Sequence, residues 1–423
     1  MSKLPRDPAR TLSRRRVLGV LGGIGATSAL GLLSACGGSG EDLEAIAPHL
    51  FETTAGNQAA TYRNVDRIHA TRRFARGATV SPLPAHAVSL QGLQYDVGTG
   101  PKSIDDYMTL RRTGGLLILK DGKVALERYG MGNTPDSLWT SFSVAKSLTS
   151  TLIGLALQEG RIRSLDDNVD SYVPALRNSA YEGCSIRNLL RMSSGVAWLE
   201  EYTATGDSDI ARLIQAQAAN RPGAVLDLMR SRTRAVPAGS AFNYSTGESY
   251  VLGAVLSAAV GSNFSDYLAS KIWVPAGMEA DGYWMLDAAG GLEMGGNNFS
   301  ATLRDYGRIG QFMLNGGAGT SRLPDGWRAL AGQPDNAVTA HGALYPGYPL
   351  GYGYQWWSFP DDAAVAPHEN AFTAQGIYGQ FIYINPMHGI VAVVWSAWPQ
   401  AWVEELETET YVMLGTAVAT LAG

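Results

Sequence analysis

Cysteine is nearly absent from this chain: 423 residues hold two, Cys36 and Cys184. That is too few for a disulfide framework, so stability has to come from an apolar core. Charge is sparse as well, at 17% of residues with a formal net charge of −5. A mild acidic balance offers nucleic acid no electrostatic footprint. The six histidines include no H-E-x-x-H pair, and no Cys/His cluster occurs, so metal-assisted hydrolysis has no ligand set. There is no G-x-S-x-G elbow to seat the nucleophile of a Ser-His-Asp hydrolase. His368-Glu369 sits alone in a Pro/Ala-rich loop and is expected at the surface. No internal repeat or disordered composition appears, and the length allows one large catalytic fold or two domains.

What the chain does have begins at residue 14. Arg14, Arg15 and Arg16 precede a short apolar stretch, Val17 to Leu33, rich in Gly and Ala. It is too short and too weakly apolar for a comfortable membrane span, and it reads as an export signal. Ser13-Arg14-Arg15 with Val17 and Leu18 resembles a twin-arginine signal, and Leu33-Ser34-Ala35-Cys36 resembles a bacterial lipobox. The resemblance implies lipidation of Cys36, a membrane anchor there, and a periplasmic or cell-surface location. Residues 1–36 are therefore expected to be signal. Residues 37–90 are expected to be a Gly/Ser-rich tether and an N-terminal arm, and 91–423 the main domain. Cys184, left without a partner, is expected to be a buried small hydrophobe.

Within the main domain, GGLLILKDGKVALERYG (114–130) carries two apolar runs around Asp121-Gly122, a pair suited to a tight hairpin. QFIYINP (380–386) and GIVAVVWSAW (389–398) form a second strand pair across Met387-His388. Helical periodicity marks SVAKSLTSTLIGLALQEG with a stop at Gly160, then 185–192, 247–261, 303–317 and 404–422. Hairpins at both chain ends with helices between them predict an α/β fold. Its sheet is mainly antiparallel, built from both ends and flanked by helices, with a helical lobe beside it.

Chemistry concentrates in SFSVAKSLTS (141–150). A helix starting at Ser143 would place its hydroxyl where N–H groups point, with Lys146 on the same face one turn later. A serine needs a base to act as a nucleophile, and a lysine can be that base if burial lowers its pKa. Taken alone, S-x-x-K more often means a capping serine followed by a surface lysine.

The wider context resolves this. TSFSVAKSLTSTLIGLALQEGRIRSLDDNVDSYVPAL (140–176), IRNLLRMSSGVAW (186–198), FNYSTGESYVLGAVL (242–256) and AFTAQGIYGQFIYINPMHGIVAVV (371–394) follow one another. In that order they resemble the serine β-lactamase and penicillin-binding-protein superfamily, in its class C-like hydrolase branch. The QGIYGQ version of the last segment is most similar to the carboxylesterase and 6-aminohexanoate-dimer hydrolase members. The resemblance covers about residues 90–420 and implies the β-lactamase/transpeptidase-like fold.

By position, the resemblance implies that Ser143 is acylated and that Lys146 and Tyr244 share the acid/base work. It gives the oxyanion hole to the N–H groups of Ser143 and Ile377. Gly376 is expected to let substrate approach the strand edge. A cation beside Tyr244 is expected to lower its phenol pKa, and which of the two takes the first proton stays open. Thr246 stands where Asn or Ser is common, leaving that polar contact open. Ala374-Gln375-Gly376 replaces the triplet whose cation holds a β-lactam or C-terminal carboxylate, which argues against β-lactamase and D-Ala carboxypeptidase activity.

Gln375 is included among the substrate-binding residues, as are Tyr202 and Asp209 of the loop WLEEYTATGDSD (198–209). For that loop a solvated acidic surface is an equal reading. Trp356, Trp357 and Tyr378 are candidates for an acyl-pocket wall, with aromatic core as the default for the tryptophans. The expected substrate is a small ester or amide, and neither metal nor organic cofactor is implied. A ligand-binding module without catalysis is the competing reading on the same fold.

Overall fold

Asp121 (φ 49°) and Gly122 (φ 73°) both take left-handed backbone conformations, the requirement of a two-residue hairpin turn whose twist matches its strands. The computed structural model describes residues 45–202, 207–361 and 367–422. The chain divides into two compact units, Met1–Leu43 and Glu44–Gly423. The first unit, with the expected signal, Cys36 and the start of the tether, lies outside the described residues. No described helix is long and apolar enough to cross a membrane.

The strands that build the site are β1 (Thr71–Phe74), β2 (Thr113–Lys120), β3 (Lys123–Tyr129), β4 (Trp139–Thr140), β5 (Gly282–Met285) and β6 (Phe299–Ala301). They continue with β7 (Gly351–Tyr352), β8 (Trp357–Ser358), β9 (Phe372–Gly376), β10 (Gln380–Asn385) and β11 (Ile390–Ser396). The large sheet runs β7-β8-β9-β10-β11-β2-β3, antiparallel throughout. The two predicted hairpins meet at its centre, where Val393 of β11 faces Leu117 of β2.

Side chains alternate across this sheet. Leu117, Leu119, Val391 and Val393 join one core, and Leu116, Ile118, Ala392 and Val394 join the other. Both faces are covered, so β11 is buried along its whole length and reads in the sequence as one apolar run. The C-terminal helix Glu404–Ala422 contributes Met413, Leu414 and Val418 to the second core.

A smaller sheet, β1-β5-β6-β4, was not evident in the sequence, because its strands are short and come from distant parts of the chain. Its edge strand β1 belongs to the 37–90 segment. That segment also supplies a short helix, α1 (Gln58–Arg63), whose Tyr62 is fully buried in the first core.

The central helix α2 (Val144–Gln158) is buried from Val144 through Ala156. Its hydroxyls are not wasted in that setting. Ser147 and Ser150 donate to Gln355 O and Tyr354 O, and Thr149 donates to Gly295 O, each at 2.6 Å. The helical lobe packs against it, chiefly through α3 (Thr246–Val260), which ends at Gly261 in a left-handed cap. Cys184 is buried in this lobe, as expected, and is free.

Two expectations change. His368 is 8% exposed, stacked on Phe359, with its ring nitrogens at 2.8 Å from the Tyr383 hydroxyl and 3.1 Å from Tyr411 O. It is part of the interior rather than a surface residue, and burial lowers its pKa to about 4. Trp356 is fully buried edge-on to Phe372, so it belongs to the core and not to a pocket wall.

Candidate active site

Ser143 sits at the N-cap of α2 with helical backbone angles (φ −70°, ψ −6°), and its hydroxyl caps no helix N–H. That leaves Oγ to Lys146, whose Nζ lies 2.9 Å away. Lys146 Nζ also donates to Thr246 Oγ1 at 2.9 Å and to Gly296 O at 2.8 Å. The lysine is 1% exposed. Burial lowers its pKa to about 8, partly opposed by the negative charge of Glu200.

Tyr244 packs over this pair. Lys146 Nζ is 4.9 Å from its ring centroid, and Trp357 stacks on the ring at 5.6 Å. Burial first, and Glu200 second, hold the Tyr244 phenol well above its ordinary range, with the Ser143 side chain opposing the shift. The expected lowering by Lys146 is therefore corrected. The ammonium lies over the ring face and spends its N–H groups elsewhere, while desolvation dominates the phenol.

Thr246 fills the contact that the sequence left open. Its hydroxyl accepts from Lys146 and donates to Glu200, and its backbone N–H donates to Glu200 Oε2 at 3.0 Å. The Glu200 carboxylate thus sits at the N-terminus of α3, where N–H groups and the helix dipole favour negative charge. Trp198 Nε1 and the Tyr202 hydroxyl complete its shell at 2.5 Å and 2.6 Å. Glu200 escaped the sequence reading. Its only signal was a carboxylate in the loop that follows Ser194-Gly195, and nothing local tied it to Thr246.

On the other side of Ser143 runs the end of β9. A Cβ built on Gly376 would lie 2.6 Å from Ser141 O and 3.1 Å from Ser143 N. The glycine is needed because the backbone before the helix presses against the strand. This revises the expected reason, which was room for substrate. Among the described residues, neither the Ser143 N–H nor the Ile377 N–H donates a backbone hydrogen bond.

Three further candidates fall elsewhere. Gln375 turns its amide to the hydroxyls of Tyr411 and Tyr348, at 2.5 Å and 3.4 Å, and so joins the cluster around buried Glu407. Asp209 is held by Arg212, Arg232 and the Leu199 N–H, an ionic brace for its loop. The structure brings neither side chain to Ser143. Tyr202 reaches the site through Glu200 and Thr246, and it stacks on Phe51 at 6.1 Å. Residues 203–206 of the same loop lie outside the described residues. Tyr378 packs against Phe142 at 5.3 Å, beside the entrance to α2.

Comparison with known proteins identifies the family. Residues 102–415 match the Beta-lactamase family. The chain is 30% identical over 301 residues to a 6-aminohexanoate-dimer hydrolase of Paenarthrobacter ureafaciens, covering 68% of this chain and 73% of that protein. Among solved structures, a Bacillus anthracis protein provisionally named 6-aminohexanoate-dimer hydrolase superposes with a TM-score of 0.74 at 21% identity, over 86% of this chain and 95% of that one. A class C beta-lactamase from Rhodobacter sphaeroides superposes with a TM-score of 0.52 at 16% identity, over 75% and 98%. A match that spans most of the chain, with a buried Ser-Lys pair at the head of its central helix, makes this protein a member of the Beta-lactamase family and a serine hydrolase.

Proposed function

We propose that the protein hydrolyses an ester or amide through an acyl-enzyme on Ser143, as an esterase or an amidase of the 6-aminohexanoate-dimer hydrolase type. The carrying observation is Lys146 Nζ, 2.9 Å from Ser143 Oγ, with a pKa lowered to about 8 by burial. Near neutral pH a useful fraction of that amine is unprotonated.

The two shifted groups divide the labour. Lys146, pushed down, is the base: its lone pair takes the Ser143 proton as Oγ attacks the carbonyl carbon. Tyr244, pushed up, stays protonated and is the acid for the leaving alcohol or amine. The developing oxyanion is held by the N–H groups of Ser143 and Ile377, worth roughly 3 kcal/mol per donor. Water then attacks the acyl carbon and gives its proton to the Tyr244 phenolate, while Lys146 returns a proton to the departing Ser143 Oγ, which restores the free enzyme. Ala374 offers no cation at the position where β-lactam and D-Ala-peptide carboxylates are held, which argues against those two substrate classes.

The test is a fluorophosphonate probe and a p-nitrophenyl ester with the purified protein, followed by peptide mass spectrometry and a screen of amides. An adduct on Ser143, lost in Ser143→Ala, is the expected result. Folded protein with neither adduct nor turnover would leave the binding-module reading in its place.

We also propose that the chain is exported by its twin-arginine-type signal and anchored through lipidated Cys36. Metabolic labelling with a fatty-acid probe, lost in Cys36→Ser, tests this. Equal labelling of both proteins removes Cys36 as the anchor.

A further inference from the structure

The two backbone segments that meet at Ser143 each carry an aromatic residue in the left-handed region. Phe142 has φ 44° and Tyr378 has φ 63°. Bulky side chains avoid this region, and such outliers persist where the surroundings over-determine them. Each one adjoins a proposed oxyanion donor: Phe142 precedes Ser143, and Tyr378 follows Ile377. Their rings touch each other at 5.3 Å.

A third ring comes from the N-terminal segment. Tyr62 of α1 meets Phe142 at 4.9 Å, nearly perpendicular, and Tyr378 at 6.0 Å. It also meets Trp139 of β4 at 5.4 Å, and it is fully buried. Gln58, one turn earlier, donates to the Tyr62 hydroxyl at 2.9 Å and to Trp398 O at 3.0 Å. Trp398 N–H donates to Tyr378 O, and Tyr378 N–H donates to Ala401 O. On the other side, the Phe142 carbonyl accepts from Asn298 N–H and from the Ser141 hydroxyl. One short helix therefore holds both strained turns against each other.

We propose that Tyr62 is a positioning residue for the oxyanion hole, fixing the Ser143 and Ile377 N–H groups at the spacing that the tetrahedral intermediate needs. The inference rests on the acyl-enzyme reading above. It makes the segment before residue 90 a working part of the active site, although no group of that segment is asked to touch substrate.

The experiment uses the full chain and compares Tyr62→Leu and Tyr62→Phe with wild type. The readouts are kcat, KM, the affinity of an arylboronic acid and the melting temperature. The boronate forms a tetrahedral adduct on serine whose oxygen occupies the hole, so it reports donor placement directly. In Tyr62→Leu, kcat and boronate affinity should fall together by about tenfold to a hundredfold, the scale expected when reacting groups are misplaced by about 1 Å. KM should stay within about threefold. Tyr62→Phe keeps the ring and should stay within about threefold of wild type throughout.

A lower melting temperature with unchanged kcat and boronate affinity would overturn the proposal and leave Tyr62 as ordinary core. Should Tyr62→Leu fail to fold, Tyr62→Met fills the space with a flexible chain and is read in the same way. Failure of the underlying reading is separate: it would appear as wild-type protein that forms no adduct on Ser143.

Discussion

Lys146 lies across the ring face of Tyr244, 4.9 Å from its centroid, with its three N–H directions turned to Ser143, Thr246 and Gly296. Gly296 O can only accept. Thr246 Oγ1 directs its hydrogen at Glu200, so towards the lysine it too accepts. A neutral amine has two N–H groups and one lone pair. With two directions fixed as acceptors, the lone pair is left facing the Ser143 hydroxyl. In the proposed mechanism the base is thus aimed by its neighbours before substrate arrives.

The first prediction is the pH dependence of the free enzyme. Lys146 must be unprotonated to take the Ser143 proton, and its pKa is lowered to about 8. Accordingly kcat/KM should rise with pH, half-complete near pH 8, and level off above. A profile already flat from pH 6 upward would remove Lys146 as the base.

Glu200 should tune that profile. Its negative charge raises the Lys146 pKa, so Glu200→Gln should move the rising limb to lower pH. The plateau should also drop by roughly tenfold or more, because glutamine replaces one of two accepting oxygens with an NH2 group and the four donors around position 200, Thr246 among them, can no longer all be met. A limb displaced to higher pH contradicts the arrangement. Thr246→Val, which keeps the shape and removes the hydroxyl, should lower the plateau similarly.

Tyr244→Phe separates acid from base. It keeps the ring under Lys146 and on Trp357 but removes the proton for the leaving group. Turnover of an amide should fall by about 10²–10⁴, the usual worth of a positioned acid. Activated p-nitrophenyl esters, whose leaving group needs little protonation, should lose less. Equal losses for both substrates would place Tyr244 elsewhere in the cycle.

Gly376→Ala tests the contact between β9 and the start of α2. The added methyl would meet Ser141 O at 2.6 Å, a distance that requires backbone to move. The variant should lose most of its kcat, and its melting temperature should fall. Normal kinetics with unchanged stability would show that the two segments can separate freely.

Glu248 gives a stability signature independent of catalysis. It is 1% exposed in α3, and burial raises its pKa to about 8, opposed by hydrogen bonds from Ser194. A carboxyl raised above its unfolded value of 4.5 is stabilising when protonated. That contribution is complete below pH 4.5 and is lost as pH rises through about 8. Glu248→Gln should therefore match wild type near pH 5 and exceed it by at least about 1 kcal/mol at pH 9. Chemical denaturation at the two pH values measures the difference. Lys146 shifts the opposite way, but it is common to both proteins and cancels in the comparison.

Local chemistry was legible in the sequence wherever a short segment sets its own conformation. Asp121-Gly122 announced its turn because few residue pairs accept two left-handed conformations. The central helix announced itself by its apolar spacing. Ser143 and Lys146 stand one turn apart, so the helix alone brings them together. Tyr244 was found through its motif, since nothing local distinguishes it from a core tyrosine.

Tertiary packing decided the remainder. Glu200 and Thr246 are 46 positions apart and meet only because the loop after Ser194-Gly195 folds onto the start of α3. Tyr62 reaches Phe142 across an even longer gap. Whether Lys146 lowers the Tyr244 pKa depends on its direction and on desolvation, and both are properties of the assembled interior. Gln375 and Asp209 have the right chemical type for a site, yet strand pleat and neighbouring arginines take them elsewhere. The chain alone determined which reactive groups it carries and which of them a single turn of backbone unites. Which lone pair faces which proton was decided by packing, because hydrogen-bond direction and burial arise only between segments.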